Sequence, residues 1–172
     1  MTIKVGINGF GRIGRNVLRA ILESGRTDIA VIEINDLGPV ETNAHLLKYD
    51  SIHGRFPGKV EVSNGKIDTG LGSINVSSER DPANLQWKDV DIALECTGIF
   101  TDKEKASLHL KNGSKRVLVS APSNGADKTI VYGVNHKSLT SDHIIVSNAS
   151  CTTNCLAPVA KVLHENFGIT TG

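Results

Sequence analysis

A doubly wound α/β domain with a mainly parallel sheet and one inserted antiparallel hairpin is the fold the sequence predicts, and three observations predict it. The first 35 residues read as strand, helix, strand. A glycine-rich turn joins the first strand to the helix. Strands and helices alternate again after residue 90, as a parallel sheet wrapped by helices requires.

Residues 2–8 (TIKVGIN) form a short, largely apolar run that leads into glycines, as a first strand would. Over 11–24, Ile13, Val17, Leu18, Ile21 and Leu22 recur near helical spacing and share one face. Gly25 can take the left-handed conformation that ends many helices. Residues 29–35 (IAVIEIN) are rich in β-branched side chains and read as the second strand. Such a βαβ unit brings its two strands parallel, with the helix on one face.

Ala44, Leu46 and Leu47 suit a helix between Pro39 and Asp50. From Gly58 to Ser78, short alternating runs flank an Asn64-Gly65 turn signal, the pattern of an antiparallel hairpin. A strand at 90–96, a loop at Thr97-Gly98, a helix near 102–112 closed by Gly113 and a strand at 115–120 follow. Further strands are predicted near 129–134 and 143–147, then a helix from Cys151 to about Phe167 with a kink or a lost hydrogen bond at Pro158.

The glycine turn carries chemistry. Gly9, Gly11 and Gly14 match G-x-G-x-x-G between a strand and a helix, the context that a dinucleotide cradle needs. The first glycine permits the tight turn, the second admits a pyrophosphate to the backbone, and the third lets helix and strand pack closely. The helix N-terminus offers free N–H groups and partial positive charge to the phosphates. Asp36 lies twenty-two residues after Gly14 at the end of the second strand, where a carboxylate binds ribose hydroxyls and disfavours a 2′-phosphate. The plainer reading is a tight strand–helix corner with a surface aspartate.

SNASCTTNCLAP places Cys151 between a strand and a helix start. A thiol at that end of a helix meets the positive pole of the dipole, which favours the thiolate. Ser150, Thr152 and Thr153 supply hydroxyls able to hold an anion. The alternative is a buried structural cysteine with Ser150 as a helix cap. Cys155, one turn on, reads as structural, and Cys96 as core. None of the six histidines has metal-ligand spacing or stands out as a base. A hydrophobic fraction of 39% suits a globular domain. A net charge of +1 gives no reason to expect nucleic acid or an anionic membrane. Three cysteines do not suggest a secreted disulfide scaffold, so the cytoplasm is the expected compartment.

Together NGFGRIGR at 8–15, ND at 35–36, YDSIHGRF at 49–56, ERDP at 79–82, ECTGIF at 95–100 and SNASCTTN at 147–154 resemble the glyceraldehyde-3-phosphate dehydrogenase family, in register through the whole chain. The resemblance implies a Rossmann NAD-binding domain over residues 1–150, with 151–172 as the cysteine helix that begins a catalytic domain. It implies NAD as oxidant, a phosphorylated aldehyde and inorganic phosphate as substrates, a place in glycolysis, and a cytoplasmic homotetramer. By position, Asn8, Gly9, Phe10, Gly11, Arg12, Ile13 and Gly14 belong to the cradle, with the backbone of Arg12 and Ile13 on the pyrophosphate. Asn35 and Asp36 belong by the adenine ribose, Arg80 by the adenine, Thr97, Gly98 and Phe100 along the cleft, and Ser120 by the nicotinamide ribose. Cys151 is the implied nucleophile, passing through a thiohemiacetal and a thioester; Ser150 and Thr152 join it in a phosphate site.

Members of the family are about twice as long, with their base histidine and substrate-binding arginine further along. The sequence is therefore expected to be half of an enzyme: to bind NAD, to lack full turnover, and to bare an apolar patch. Three rivals remain: an erythrose-4-phosphate dehydrogenase, which Asp36 disfavours, a non-catalytic NAD-binding module, and a thiol hydrolase, which would leave the glycines unexplained.

Overall fold

The computed structural model describes residues 2–172. Its elements run β1 (Ile3–Asn8), α1 (Arg12–Glu23), β2 (Ile29–Asn35), α2 (Val40–Lys48), β3 (Tyr49–Asp50), β4 (Gly54–Arg55), β5 (Glu61–Ser63), β6 (Lys66–Asp68), β7 (Ser73–Ser77), β8 (Ile92–Glu95), α3 (Lys103–Ala106), α4 (Leu108–Lys111), β9 (Arg116–Val119), β10 (Lys128–Thr129), β11 (Ile145–Ser147) and α5 (Cys151–Phe167). Nine strands make one sheet in the order β10-β11-β9-β8-β1-β2-β7-β6-β5. Every pairing from β10 to β7 is parallel, while β5 and β6 run antiparallel. This is the Rossmann-type doubly wound sheet with its inserted hairpin. Asn64 and Gly65 turn that hairpin with φ of 51° and 71°, the left-handed pair that a tight two-residue connection demands.

Alternation along the strands sorts side chains onto two covered faces. Val5 and Ile7 of β1 join Leu18, Ile34, Leu47 and Phe56 in the main core. Ile7, Leu18, Ile34 and Leu47 are fully buried, each contributing roughly 1.5–3 kcal/mol. Gly6 points the other way, onto Trp87 and Val90; a Cβ there would lie 2.7 Å from the Trp87 ring.

Two expectations change in detail, one pairing is new, and at Pro158 the lost hydrogen bond is the outcome. The helix near 102–112 is two short pieces, because at Ser107 the bonding tightens to Leu110 N–H on the Ser107 carbonyl. The strand near 129–134 shrinks to Lys128–Thr129, after which Gly133 (φ 84°) and the Asn135 side chain turn the chain at the sheet edge. The pair β3–β4 was not foreseen; it is made by Asp50, whose carboxylate accepts the N–H groups of Ile52 and His53 at 2.9 Å. Helix α5 runs unbroken through Pro158, which has no N–H to offer the Asn154 carbonyl.

Candidate active site

From β1 the chain goes to β2 on one side, and its later parallel strands β8, β9 and β11 lie on the other. The sheet order therefore reverses beside β1, and ligands of such sheets settle at the carboxyl ends of the strands there. The last residues of those strands sit in one row: Ser77, Asn35, Asn8, Glu95, Val119 and Ser147 are register partners in sequence across the sheet. All but Val119 are polar, and Asn35, Asn8, Glu95 and Ser147 are buried.

Above this row lies a cleft of about 440 Å³ lined by Asn8, Gly9, Gly11, Asn35, Asp36, Leu37, Glu79, Arg80, Cys96, Thr97, Ile99 and Phe100. A second hollow, of about 420 Å³, is lined by Ile13, Ser120, Asn148, Ser150, Cys151 and Asn154 among others. Cys96 lines both. The glycine turn and Cys151, remote in sequence, thus open onto neighbouring hollows.

The glycines have the backbone geometry of the motif. Gly9 has φ of 89°, and a Cβ on it would lie 2.7 Å from the Thr97 nitrogen. A Cβ on Gly11 would meet nothing within 4 Å, so its backbone faces open space. No side chain caps α1, its first turn holds no acid, and its first ladder bond starts at Arg15 N–H. The leading N–H groups and the dipole are left for an anion. Asp36 stands across from them, its carboxylate accepting Phe10 N–H and Gly38 N–H, both at 2.8 Å.

At the other end, Ala149 is buried with φ of 58°, and this turn carries the chain from β11 onto α5. Ser150 caps the helix by accepting Thr153 N–H at 3.0 Å. Its hydroxyl also meets those of Thr152 at 2.9 Å and Thr153 at 2.7 Å. Asn154 braces the turn, donating to the carbonyls of Asn148 and Ser150. Cys151 and Cys155 are exposed. Burial pushes the Cys96 thiol up to about 11; a hydrogen bond with Ser120 opposes this and the Glu95 charge adds to it.

Most of the residues expected at the site line these hollows. Phe10 does not: its side chain is fully buried in the core, and only its N–H points to Asp36. Arg12 turns its guanidinium to Asp50 at 3.0 Å, leaving its backbone at the helix start. Gly14 packs against the Gly9 carbonyl, and Gly98 and Thr152 line neither hollow. Leu37, Glu79, Cys96 and Ile99 line the cleft without having been foreseen. Each had one available signal, its place beside a residue expected at the site: Leu37 beside Asp36, Glu79 beside Arg80, Cys96 beside Thr97, and Ile99 between Gly98 and Phe100. No histidine lines either hollow among the described residues.

A family model described as "Glyceraldehyde 3-phosphate dehydrogenase, NAD binding domain" matches residues 3–103. One described as "Glyceraldehyde 3-phosphate dehydrogenase, C-terminal domain" matches residues 150–172. Among curated relatives, glyceraldehyde-3-phosphate dehydrogenase of Cereibacter sphaeroides is 70% identical over the whole chain, which covers 52% of that relative. The protein of the same name from Xanthobacter flavus is 68% identical, again over the whole chain and 52% of the relative. That of Thermotoga maritima is 53% identical over 98% of the chain and 51% of the relative. The chain spans about half the length of the curated relatives it matches.

Proposed function

The chain belongs to the glyceraldehyde-3-phosphate dehydrogenase family, and on that premise we propose that it forms the cofactor half of an enzyme that converts glyceraldehyde 3-phosphate and inorganic phosphate to 1,3-bisphosphoglycerate. NAD is the cofactor of the domain it carries. The residues fit that group: an open backbone at Gly11, an uncapped and acid-free helix start, and a carboxylate at Asp36. Asn8, Gly9, Asn35, Asp36, Arg80, Thr97 and Phe100 would hold its adenosine side, and Ile13 and Ser120 its nicotinamide side.

The single observation that carries the reading is that Cys96 lines both hollows, so the cleft above the glycine turn and the hollow at Cys151 are neighbours that meet at one residue. Cys151 Sγ attacks the aldehyde carbon; a carbon–sulfur bond forms, the carbonyl π bond breaks, and the oxygen gains charge. The Cys151 N–H, at the first position of α5, would stabilise that oxygen. NAD, when bound, would supply the two-electron oxidation, as a hydride acceptor, that leaves a thioester on Cys151. An oxygen of hydrogen phosphate then displaces Sγ from the acyl carbon: the carbon–oxygen bond forms, the carbon–sulfur bond breaks, and the leaving thiolate takes the proton of the phosphate. Ser150 and Thr152, whose hydroxyls meet at 2.9 Å at the same helix end, would hold the phosphate.

The division of labour falls at residues 150 and 151 in this proposal. Supporting it, the C-terminal family model starts at 150 and α5 has no buried residue. Leu156, Val159, Val162 and Phe167 are all more than half exposed, an apolar face suited to further structure. A cytoplasmic homotetramer for the whole protein belongs to the same proposal. Among the described residues no helix is long and apolar enough to cross a membrane.

The rate of alkylation of Cys151, Cys155 and Cys96, resolved by mass spectrometry with and without NAD, tests the reading. Cys151 is expected to react first near neutral pH and to change its rate with NAD, while Cys96 stays slow until strongly alkaline pH. Uniform labelling indifferent to NAD would leave a binding module or a different chemistry in its place.

A further inference from the structure

A hydrogen-bonded chain of buried groups runs beneath the cleft. The Trp87 indole N–H donates to His109 Nδ1 at 2.9 Å. An indole nitrogen can only donate, so Nδ1 accepts and the ring hydrogen sits on Nε2, which donates to Glu95 Oε2 at 2.8 Å. The same oxygen accepts from the Asn8 side chain at 2.7 Å. Oε1 accepts Thr97 N–H at 2.8 Å and the Thr97 hydroxyl. Four donors thus occupy one carboxylate that is 1% exposed, and His109 is wholly buried. Asn8 passes the order on, its Oδ1 accepting from Asn35, which in turn binds the backbone of Glu79.

Burying a carboxylate and an imidazole is a costly way to fill a core, and apolar side chains of similar volume often serve stability as well or better. What this arrangement achieves is orientation. Its upper ends, Asn8, Asn35, Glu79 and Thr97, are cleft wall, contributed by four separate segments. Thr97 N–H, fixed by Glu95, is also the group against which Gly9 packs.

We propose that His109 is a positioning residue for NAD binding: locked by Trp87 as the Nε2–H tautomer, it holds Glu95 so that the carboxylate fixes Asn8 and Thr97 as a preformed wall of the cleft. This rests on the reading of the cleft as the NAD site.

NAD titration calorimetry and urea unfolding of the chain, with His109→Gln, His109→Leu and Trp87→Phe, test the proposal, together with ¹⁵N NMR of the histidines. The parent is expected to show His109 with hydrogen on Nε2 alone. His109→Gln, whose amide can donate from the Nε2 position, should bind NAD within about 3-fold of the parent, whereas His109→Leu, leaving Glu95 one donor short, should bind about 10-fold more weakly. Trp87→Phe keeps a ring against Gly6, releases the tautomer and should weaken NAD binding; it decides the matter if His109→Leu does not fold. Folded variants that all bind like the parent, or Gln and Leu variants equally impaired, overturn the proposal. A parent that binds no NAD overturns the cofactor reading instead, a distinct result.

Discussion

Gly14 lies so close to Gly9 that a Cβ on Gly14 would stand 2.3 Å from the Gly9 carbonyl oxygen. Helix α1 and the end of β1 touch backbone to backbone at this point, while Gly11, two positions past Gly9, faces open space. On the proposed reading, the two glycines separate stability from binding. Gly14→Ala is expected to cost about 2 kcal/mol through overpacking, lowering Tm by roughly 4–8 °C. Gly11→Ala should leave Tm nearly unchanged and weaken NAD binding. Circular dichroism melts beside NAD titrations check both, and equal melting of the two variants would refute the assignment.

Asp36 accepts Phe10 N–H and Gly38 N–H while lining the cleft. Asp36→Ala should reduce NAD affinity about 10-fold and narrow the preference for NAD over NADP, because a charged hydrogen-bond acceptor is lost. Binding constants for both cofactors measure this. Unchanged discrimination would move the ribose elsewhere.

Asp127 receives the N–H groups of Ile144 and Ile145 at 2.8 Å and an ion pair from Lys103, tying α3 to the edge of the sheet. The Ile145 N–H above all, then Lys103, draws its carboxyl down to about 2. A folded-state value below the unfolded one, near 3.9, means that the unfolded chain takes up the proton first as pH falls. The contribution is therefore complete above about pH 4 and lost as pH drops towards 2. Asp127→Asn should lower stability by about 1–2 kcal/mol at pH 7, a gap that closes in that window. Urea midpoints at pH 7 and pH 2.5 test the sign.

Ala149, buried at φ 58°, pays the left-handed penalty at the turn that delivers Cys151. Ala149→Gly relieves it but loosens the unfolded chain, so stability should stay within about 1 kcal/mol. Ala149→Val, β-branched in the same conformation, should lose roughly 1–3 kcal/mol and slow Cys151 alkylation. A Val variant as stable and reactive as the parent would show that the turn tolerates any residue.

Much of this was legible in the sequence. Helix α1 and β2 follow from spacing and β-branching within a few residues, and the Asn64-Gly65 turn from its own dihedral needs. The glycine turn and its carboxylate were readable because three glycines and Asp36 lie on one βαβ unit. Glu95 was not, since it ends the predominantly apolar strand IALE, where no local pattern marks a carboxylate as the hub of a network. His109 gave no more than the sign of a surface or satisfied polar residue.

The sequence by itself determined most of the element types, the glycine turn between β1 and α1, the place of Asp36 at the end of β2 and the helix that begins at Cys151, because each depends on neighbours within a turn or two of chain. Tertiary structure alone decided that β8, β9 and β11 would lie on the opposite side of β1 from β2. That order sets Asn8 against Glu95 across 87 residues of sequence and brings Cys151 to a hollow that shares Cys96 with the cleft above the glycine turn. Such contacts arise from parallel pairing and burial on both faces of a sheet, and a window of local periodicity holds neither.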